Sequence, residues 1–230
     1  MKRIGLLGGM SWESSIEYER IINQGVRARV GGTHSADLIV RSYDFAAIEA
    51  LQEAGDWEGA GALLAADAAL LERCGAELIL LCTNTMHVVA DAIEAALDHA
   101  RFVHLADATG RAVVAADVET VALLGTRYTM EQDFYRSRLE RMGLEVVVPD
   151  DAGRTIVHDV IYDELVRGVI RPESRSAYVD VIAELVDRGA TGVIAGCTEI
   201  ELLVGPDDVD AAWFPTARIH AETAVDLALG

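Results

Sequence analysis

The stretch Arg3-Ile4-Gly5-Leu6-Leu7-Gly8-Gly9 returns, with changed residues but the same pattern, as Thr120-Val121-Ala122-Leu123-Leu124-Gly125-Thr126. Each copy is a short apolar run that ends in a glycine turn, which is typical of a buried strand followed by a loop. The two turn glycines, Gly8 and Gly125, are 117 residues apart in a chain of 230 residues. The repeat therefore predicts two similar lobes, each beginning with the same strand.

Short apolar strands alternate with helical segments along both halves of the chain. In the first half, Leu38-Ile39-Val40 and Glu77–Leu81 read as strands, and the Ala- and Leu-rich segment Trp57–Arg73 reads as a helix. Strands that alternate with helices favour a parallel sheet covered by helices. We therefore predict an α/β fold of two pseudo-symmetric lobes.

The repeat also sets the expected domain boundaries. We predict an N-terminal lobe over residues 1–116 and a C-terminal lobe over residues 117–211, with the closing segment 212–230 packing back on the first lobe. Ligands of open parallel sheets bind beyond the carboxyl ends of the strands. We expect those ends to converge on one cleft between the two lobes.

Composition and charge narrow the class of protein. The chain is 51% hydrophobic, which is enough for a sizeable core, and its formal net charge is −19. Such an acidic chain is a poor partner for nucleic acid, which needs a basic surface. No export signal follows Met1 and no apolar stretch is long enough to cross a membrane, so we expect a soluble cytoplasmic protein with no membrane partner.

The cysteine and lysine content bears on metals and cofactors. The chain has three cysteines, no C-x-x-C motif and a single lysine, Lys2. These features predict free thiols in a reducing compartment and no metal site. Pyridoxal phosphate is held by a lysine, and Lys2 precedes the first strand. We therefore expect any amino-acid chemistry of this chain to be independent of pyridoxal phosphate.

Two cysteines stand at strand ends, and each is followed by threonine. Cys82 follows Leu78-Ile79-Leu80-Leu81, and Cys197 follows Val193-Ile194-Ala195-Gly196, so that the two cysteines are 115 positions apart. A lone cysteine after a buried strand is most often a packing residue, and Cys74 is interpreted in that way or as an interface residue. The repeated setting instead predicts two catalytic thiols, one per lobe, which exchange protons with opposite faces of one carbon.

Polar residues near these strand ends are candidate substrate contacts. Their hydroxyl and amide groups suit a carboxylate. The alternative is helix capping for Thr83–Thr85 and Thr198–Glu199, and a tight turn for Gly8–Ser11 and Gly125–Thr126. Arg167 is interpreted either as a carboxylate anchor or as an exposed arginine at a helix end. His87 is expected either to tune the thiol or to cap or pack, and His220 to lie near the cleft. The candidate substrate-binding residues are Met10, Ser11, Thr83, Asn84, Thr85, Thr126, Thr198, Glu199 and Arg167.

Four segments together resemble the aspartate/glutamate racemase family, most closely its aspartate racemase and broad-specificity branch. They are Gly8–Ser14, Cys82–His87, Leu124–Met130 and Gly196–Ile200, and the likeness runs along essentially the whole chain. The resemblance implies two Rossmann-like lobes in a homodimer that racemises a free amino acid without a cofactor. It also implies that Cys82 and Cys197 occupy the two acid/base positions of the family.

The chain departs from the family pattern at three positions. The glutamate racemase branch carries aspartate in its first loop and histidine after the second Cys-Thr, where this chain has Met10 and Glu199. These two differences favour the aspartate-type branch. The family's Phe-Asp-Thr near the end reads Phe214-Pro215-Thr216 here, which puts the efficiency or the substrate pocket in question.

Other functions and substrates stay open at this point. A related isomerase or decarboxylase, of the hydantoin racemase or maleate isomerase type, would use the same cysteines. A non-catalytic small-molecule binding protein is a further alternative. The segment Asp44–Ile48 is expected to line the side-chain pocket and offers no basic residue, which favours a neutral or broad range of amino acids unless Arg41 or Arg167 reaches in.

Overall fold

Eight strands form two separate four-stranded sheets in the computed structural model, which describes residues 1–230. The first sheet has the order β2-β1-β3-β4 and the second the order β6-β5-β7-β8, and every pairing is parallel. The second order is the first one repeated. The predicted fold class, two α/β lobes each with a parallel sheet, is therefore confirmed. The strands are β1 (Ile4–Gly8), β2 (Leu38–Ser42), β3 (Leu78–Leu81), β4 (Arg101–Phe102), β5 (Thr120–Gly125), β6 (Glu145–Val147), β7 (Gly192–Gly196) and β8 (Ala212–Pro215).

Ten α-helices connect and flank the strands, as parallel pairing requires a crossover between neighbouring strands. Short 3-10 turns also occur at Thr85–Val89, Leu165–Arg167, Thr198–Leu202 and Pro206–Asp208. The α-helices are α1 (Trp12–Val30), α2 (Phe45–Ala54), α3 (Trp57–Arg73), α4 (Ala90–Ala95), α5 (Leu105–Ala115), α6 (Arg127–Glu131), α7 (Asp133–Glu140), α8 (Asp151–Asp163), α9 (Pro172–Asp187) and α10 (Thr216–Leu229).

Two compact units divide the chain, one formed by Met1–Leu105 with His220–Gly230 and the other by Ala106–Ile219. Each has its own core of buried aliphatic side chains around its sheet. Leu7, Ile79 and Leu81 belong to the core of the first unit. Ala122, Leu124 and Val193 belong to that of the second.

These units differ from the sequence-based ranges at α5, which joins the second unit. Three contacts with α7 and the turn after it explain its place. Arg138 forms an ion pair with Asp107 at 3.0 Å, and the Tyr135 hydroxyl donates to Thr109. A side chain at Gly110 would meet the sulfur of Met142 at 2.5 Å, so the two segments are in close contact there.

The closing segment 212–230 is split between the two units, whereas we expected all of it to pack on the first lobe. Its strand β8 pairs with β7 in the second sheet, where Ala212 donates its N–H to Thr191. From His220 onward the segment packs in the first unit, and the N–H of Lys2 donates to the carbonyl of Ala228. Only the part of the segment from His220 onward belongs to the first unit.

Pro215 is the last residue of β8, an edge strand whose only partner is β7. Alternate residues of a parallel strand point their N–H groups to the same side. Because Ala212 donates toward β7, the position of Pro215 faces the open edge of the sheet. A proline there removes no hydrogen bond of the sheet, which is where strands tolerate proline.

Helix α2 and the segment after β3 differ from the secondary structure expected from the sequence. Helix α2 was not predicted, although Asp44 caps its first turn and Gly55 ends it with a φ of 66°. After β3, where the sequence pattern of Met86–Leu97 predicts one continuous helix, the structure has a 3-10 turn followed by the six-residue α4. No helix of the chain combines the length and the apolar character needed to cross a membrane.

Candidate active site

Cys82 lies at the carboxyl end of β3 and is completely buried. Its backbone N–H donates to the carbonyl of Leu7 at 2.9 Å, so the residue continues the pairing of β3 with β1. Burial raises the pKa of the Cys82 thiol far above its usual value, because a thiolate there would lose its hydration. The side chain is therefore a neutral thiol in this structure.

The next three residues form a turn that carries several predicted site residues. Thr83 is half-buried, whereas Asn84 and Thr85 are buried. Asn84 precedes the 3-10 turn Thr85–Val89, but its side chain makes no capping hydrogen bond. The Thr83 N–H donates to the Leu81 carbonyl at 2.9 Å, and the Thr83 carbonyl lies 2.7 Å from Nδ1 of His87.

Cys197 occupies the carboxyl end of β7 and is half-buried. Its thiol donates to Oε2 of Glu199 at 2.9 Å, and the Glu199 side chain is itself buried. Burial and the negative charge of Glu199 raise the pKa of the Cys197 thiol well above its usual value. Cys197 therefore rests as a protonated thiol that is hydrogen-bonded to a carboxylate.

Two hydroxyls cap the helices that follow the first strand of each sheet. The Ser11 oxygen accepts the N–H of Ser14 at 3.4 Å, and the Thr126 oxygen accepts that of Thr129 at 3.4 Å. A hydroxyl that accepts a backbone N–H still has its own proton to donate, so capping does not exclude a contact with substrate.

Strand register shows which residues of the two sheets are equivalent. Leu7 pairs with Leu81 in the first sheet, and its repeat counterpart Leu124 pairs with Ala195 in the second. Leu81 is therefore equivalent to Ala195. One residue further along, Cys82 matches Gly196, and Thr83 matches Cys197.

The two cysteines thus do not occupy matching positions, and the expectation of equivalent settings was wrong by one residue. Packing gives the physical reason. Gly196 pairs with Gly125, and a Cβ atom at Gly196 would lie 2.5 Å from the carbonyl oxygen of Leu124. Position 196 cannot carry a side chain, so the first functional side chain after β7 is that of Cys197.

The basic candidates for a substrate carboxylate have different surroundings. The Arg167 side chain is 68% exposed at the end of a 3-10 turn, 3.9 Å from Asp163. Arg41 donates to Asp67 at 2.9 Å and lies 4.2 Å from the centre of the Tyr43 ring. The guanidinium of Arg41 is thus already paired with a carboxylate.

Several other predicted residues have roles within one unit. Asp44 caps α2, and Met10 packs in the core of the first unit. His220 is completely buried and hydrogen-bonds to the Tyr18 hydroxyl and the Val103 carbonyl. Cys74 is exposed at the end of α3, so the packing interpretation of this residue was wrong.

Comparison with known proteins identifies the family. The family model described as Asp/Glu/Hydantoin racemase matches residues 7–224. The chain is similar over the full length of both proteins to a Yersinia pestis protein assigned to the Asp/Glu racemases, at 52% identity and a TM-score of 0.94. It is also similar, over the full length of both chains, to PH1733, an aspartate racemase homologue from Pyrococcus horikoshii OT3, at 35% identity and a TM-score of 0.86.

A more distant likeness concerns the fold alone. Glutamate racemase from Francisella tularensis is 14% identical, with a TM-score of 0.68 over 99% of this chain and 81% of that one. The family match spans nearly the whole chain and agrees with the repeated sheets and with the polar residues at their carboxyl ends. This chain belongs to the Asp/Glu/hydantoin racemase family.

Proposed function

We propose that this chain racemises a free amino acid, of the aspartate or broad-specificity type, by two-base proton transfer without pyridoxal phosphate. The observation that carries the proposal is the Cys197 thiol, half-buried at the end of β7 and hydrogen-bonded to a buried carboxylate. Membership of a racemase family supports the reaction class. We further propose that the protein works in the cytoplasm as a homodimer.

The reaction requires one proton to leave the α-carbon and another to arrive on its opposite face. The Cys197 thiol first loses its proton to solvent. The resulting thiolate takes the α-proton, and the electron pair of the C–H bond passes to the carbon and its carboxylate. A second group then gives its own proton to the opposite face of the carbon. Both groups return to their first state by proton exchange with solvent, or they run the reverse reaction from the product.

Charge that develops on the substrate carboxylate needs stabilisation, because an α-hydrogen is only weakly acidic. Backbone N–H groups and hydroxyls fixed at the strand ends are suited to this role. Ser11 and Thr126 are held by their capping bonds, so their hydroxyl groups are already oriented before substrate binds. Preorganised donors of this kind cost no rearrangement during the reaction.

Glu199 links substrate binding to the state of the thiol. An amino acid carries a positive ammonium group, which is a natural partner for a buried carboxylate. When that charge is neutralised, the electrostatic contribution that raises the pKa of Cys197 weakens. Substrate binding would therefore make the thiolate of Cys197 easier to form.

Two residues of the first unit compete for the second acid/base role. The family resemblance points to Cys82, whose thiol is completely buried. The strand register instead makes Thr83, a half-buried residue, the counterpart of Cys197. Because position and accessibility both favour it, we propose that Thr83 is the second acid/base group and supplies the new proton, with Cys82 as the alternative.

The substrate side chain is proposed to be accepted broadly. Lys2 is the only lysine, and the guanidinium of Arg41 is paired with Asp67. Arg167 is largely exposed and remains the candidate anchor for a second carboxylate. A panel of aspartate, glutamate, methionine, homoserine and alanine, with a hydantoin and maleate added, separates amino-acid racemisation from the related isomerases.

Replacing Cys197 tests the base that removes the α-proton. Cys197→Ser is expected to lower the racemisation rate about 10²–10⁴-fold, because a hydroxyl is a far weaker acid than a thiol. Cys74→Ser, at an exposed cysteine, is the matched control and should leave the rate unchanged. Chiral chromatography of the amino-acid panel measures both. A Cys197→Ser variant with the wild-type rate would remove this thiol from the mechanism.

Thr83 and Cys82 are distinguished by a pair of variants. Thr83→Val keeps the shape of the side chain but removes its hydroxyl, and we expect a loss of about 10²-fold in rate. Cys82→Ala should retain most of the activity and lower the free energy of unfolding by about 1 kcal/mol, the cost of a small cavity. The opposite result, an inactive Cys82→Ala beside an active Thr83→Val, would restore the pair of thiols.

Glu199→Gln tests the electrostatic coupling. Removing the negative charge should lower the pKa of Cys197, so that more thiolate is present at any given pH and alkylation by iodoacetamide accelerates. Each unit of pKa corresponds to about a tenfold change in the thiolate fraction below the pKa. Rate–pH profiles are compared in a Cys74→Ser background, which removes the exposed thiol. A profile that stays in place or moves to higher pH would contradict the coupling.

A further inference from the structure

Three buried histidines cluster in the first unit behind the turn that carries Thr83. They are His87, His104 and His220. The ring centres of His87 and His104 are 4.6 Å apart, and those of His87 and His220 are 6.0 Å apart. The proposed reaction gives none of them a role, so their hydrogen bonds need an explanation of their own.

The hydrogen bonds of His87 define its tautomer. The backbone N–H of Leu105 donates to Nε2 of His87 at 3.2 Å. A ring nitrogen that accepts a hydrogen bond carries no proton, so the proton of the neutral ring is on Nδ1. Nδ1 lies 2.7 Å from the carbonyl oxygen of Thr83, to which it therefore donates.

Comparison of the two sheets shows why this bond is needed. In the second unit the carbonyl of Cys197 accepts a backbone N–H from Ile200 at 3.1 Å, within the 3-10 turn that follows. The equivalent carbonyl is that of Thr83, but the 3-10 turn of the first unit begins later, and the N–H of His87 goes to Asn84 instead. The His87 ring supplies to Thr83 the hydrogen bond that the backbone supplies to Cys197.

The ring of His220 holds the segment that contains Leu105. His220 Nε2 donates to the Val103 carbonyl at 2.6 Å, and its Nδ1 accepts from the Tyr18 hydroxyl at 2.9 Å. The segment Val103–Leu105 is thus fixed between two imidazoles. A fixed Leu105 N–H in turn keeps the His87 ring in the tautomer that donates to Thr83.

We propose that His87 is a positioning residue for the racemisation: its Nδ1–H fixes the Thr83 carbonyl and thereby the reacting turn after β3. The inference rests on the proposed function and on the equivalence of Thr83 with Cys197. In this role His87 acts through the backbone of Thr83, whose carbonyl accepts its Nδ1–H. Small errors in the placement of a reacting group lower rates steeply, by about 10²-fold for a displacement of 1 Å.

Two variants at this position separate positioning from packing. The amide nitrogen of His87→Asn takes the place of Nδ1 and can donate to Thr83, but it loses the acceptor for Leu105. The amide oxygen of His87→Gln takes the place of Nε2 and can accept from Leu105, but it loses the donor to Thr83. Both variants lose the ring and its contacts with Phe102, His104 and His220, so their losses of stability should be similar.

The expected result is a difference in kcat that stability does not explain. His87→Asn should keep kcat within about threefold of wild type, and His87→Gln should lower kcat about 10²-fold with little change in KM. Equal kcat values for the two variants, whether both high or both low, would overturn the inference. Thermal unfolding of both variants is measured beside the kinetics.

A second measurement applies even where both variants unfold. The imidazole ¹⁵N spectrum of the wild-type chain should show His87 with a protonated Nδ1 and an unprotonated Nε2. The opposite tautomer or an imidazolium would overturn the inference. A wild-type chain that racemises none of the panel would instead overturn the proposed function, so the two failures are distinguishable.

Discussion

Close approach of two backbones at the end of the second sheet determines which positions there can carry a side chain. Gly125 and Gly196 pair directly, and neither position has room for a side chain. The first side chain that β7 can present beyond its carboxyl end is therefore that of Cys197. The same register in the first sheet assigns that place to Thr83, one residue beyond the fully buried Cys82. In the proposed reaction, backbone packing therefore selects the positions of the two reacting groups.

Different groups fix the turns that follow β3 and β7. In the second unit, Glu199 holds the Cys197 thiol by a hydrogen bond and raises its pKa, and the backbone N–H of Ile200 fixes the Cys197 carbonyl. In the first unit, a histidine ring fixes the corresponding carbonyl of Thr83. The pseudo-symmetric sheets provide equivalent positions, while the turns after them differ in length and in the group that stabilises them.

Much of the fold is predictable from the sequence because its signals are local. The repeat around Gly8 and Gly125, the apolar strands and the helix Trp57–Arg73 all appear in the structure where the pattern places them. Cys197 is found at a strand end as expected. Helix α2 carried usable signals, a capping Asp44 and a terminal Gly55, which the sequence reading missed.

The features that the sequence did not predict depend on contacts between residues that are distant along the chain. The offset between Cys82 and Cys197 is close to that between Gly8 and Gly125. Only the hydrogen-bonding register shows that the two cysteines do not occupy equivalent positions in the two sheets. The place of α5 follows from Asp107 and Gly110, which meet residues of and after α7. The tautomer of His87 depends on Leu105, eighteen residues away, and no local pattern encodes that bond.

Proton exchange at the α-carbon tests the central claim most directly. The purified chain is incubated in D₂O with single enantiomers of the amino-acid panel and no added cofactor, and the products are analysed by proton NMR and chiral chromatography. The account predicts that the opposite enantiomer appears and that it carries deuterium at the α-carbon, because a group equilibrated with solvent delivers the new proton. An inverted product that retains its original α-hydrogen, or the absence of both inversion and exchange across the panel, would contradict it.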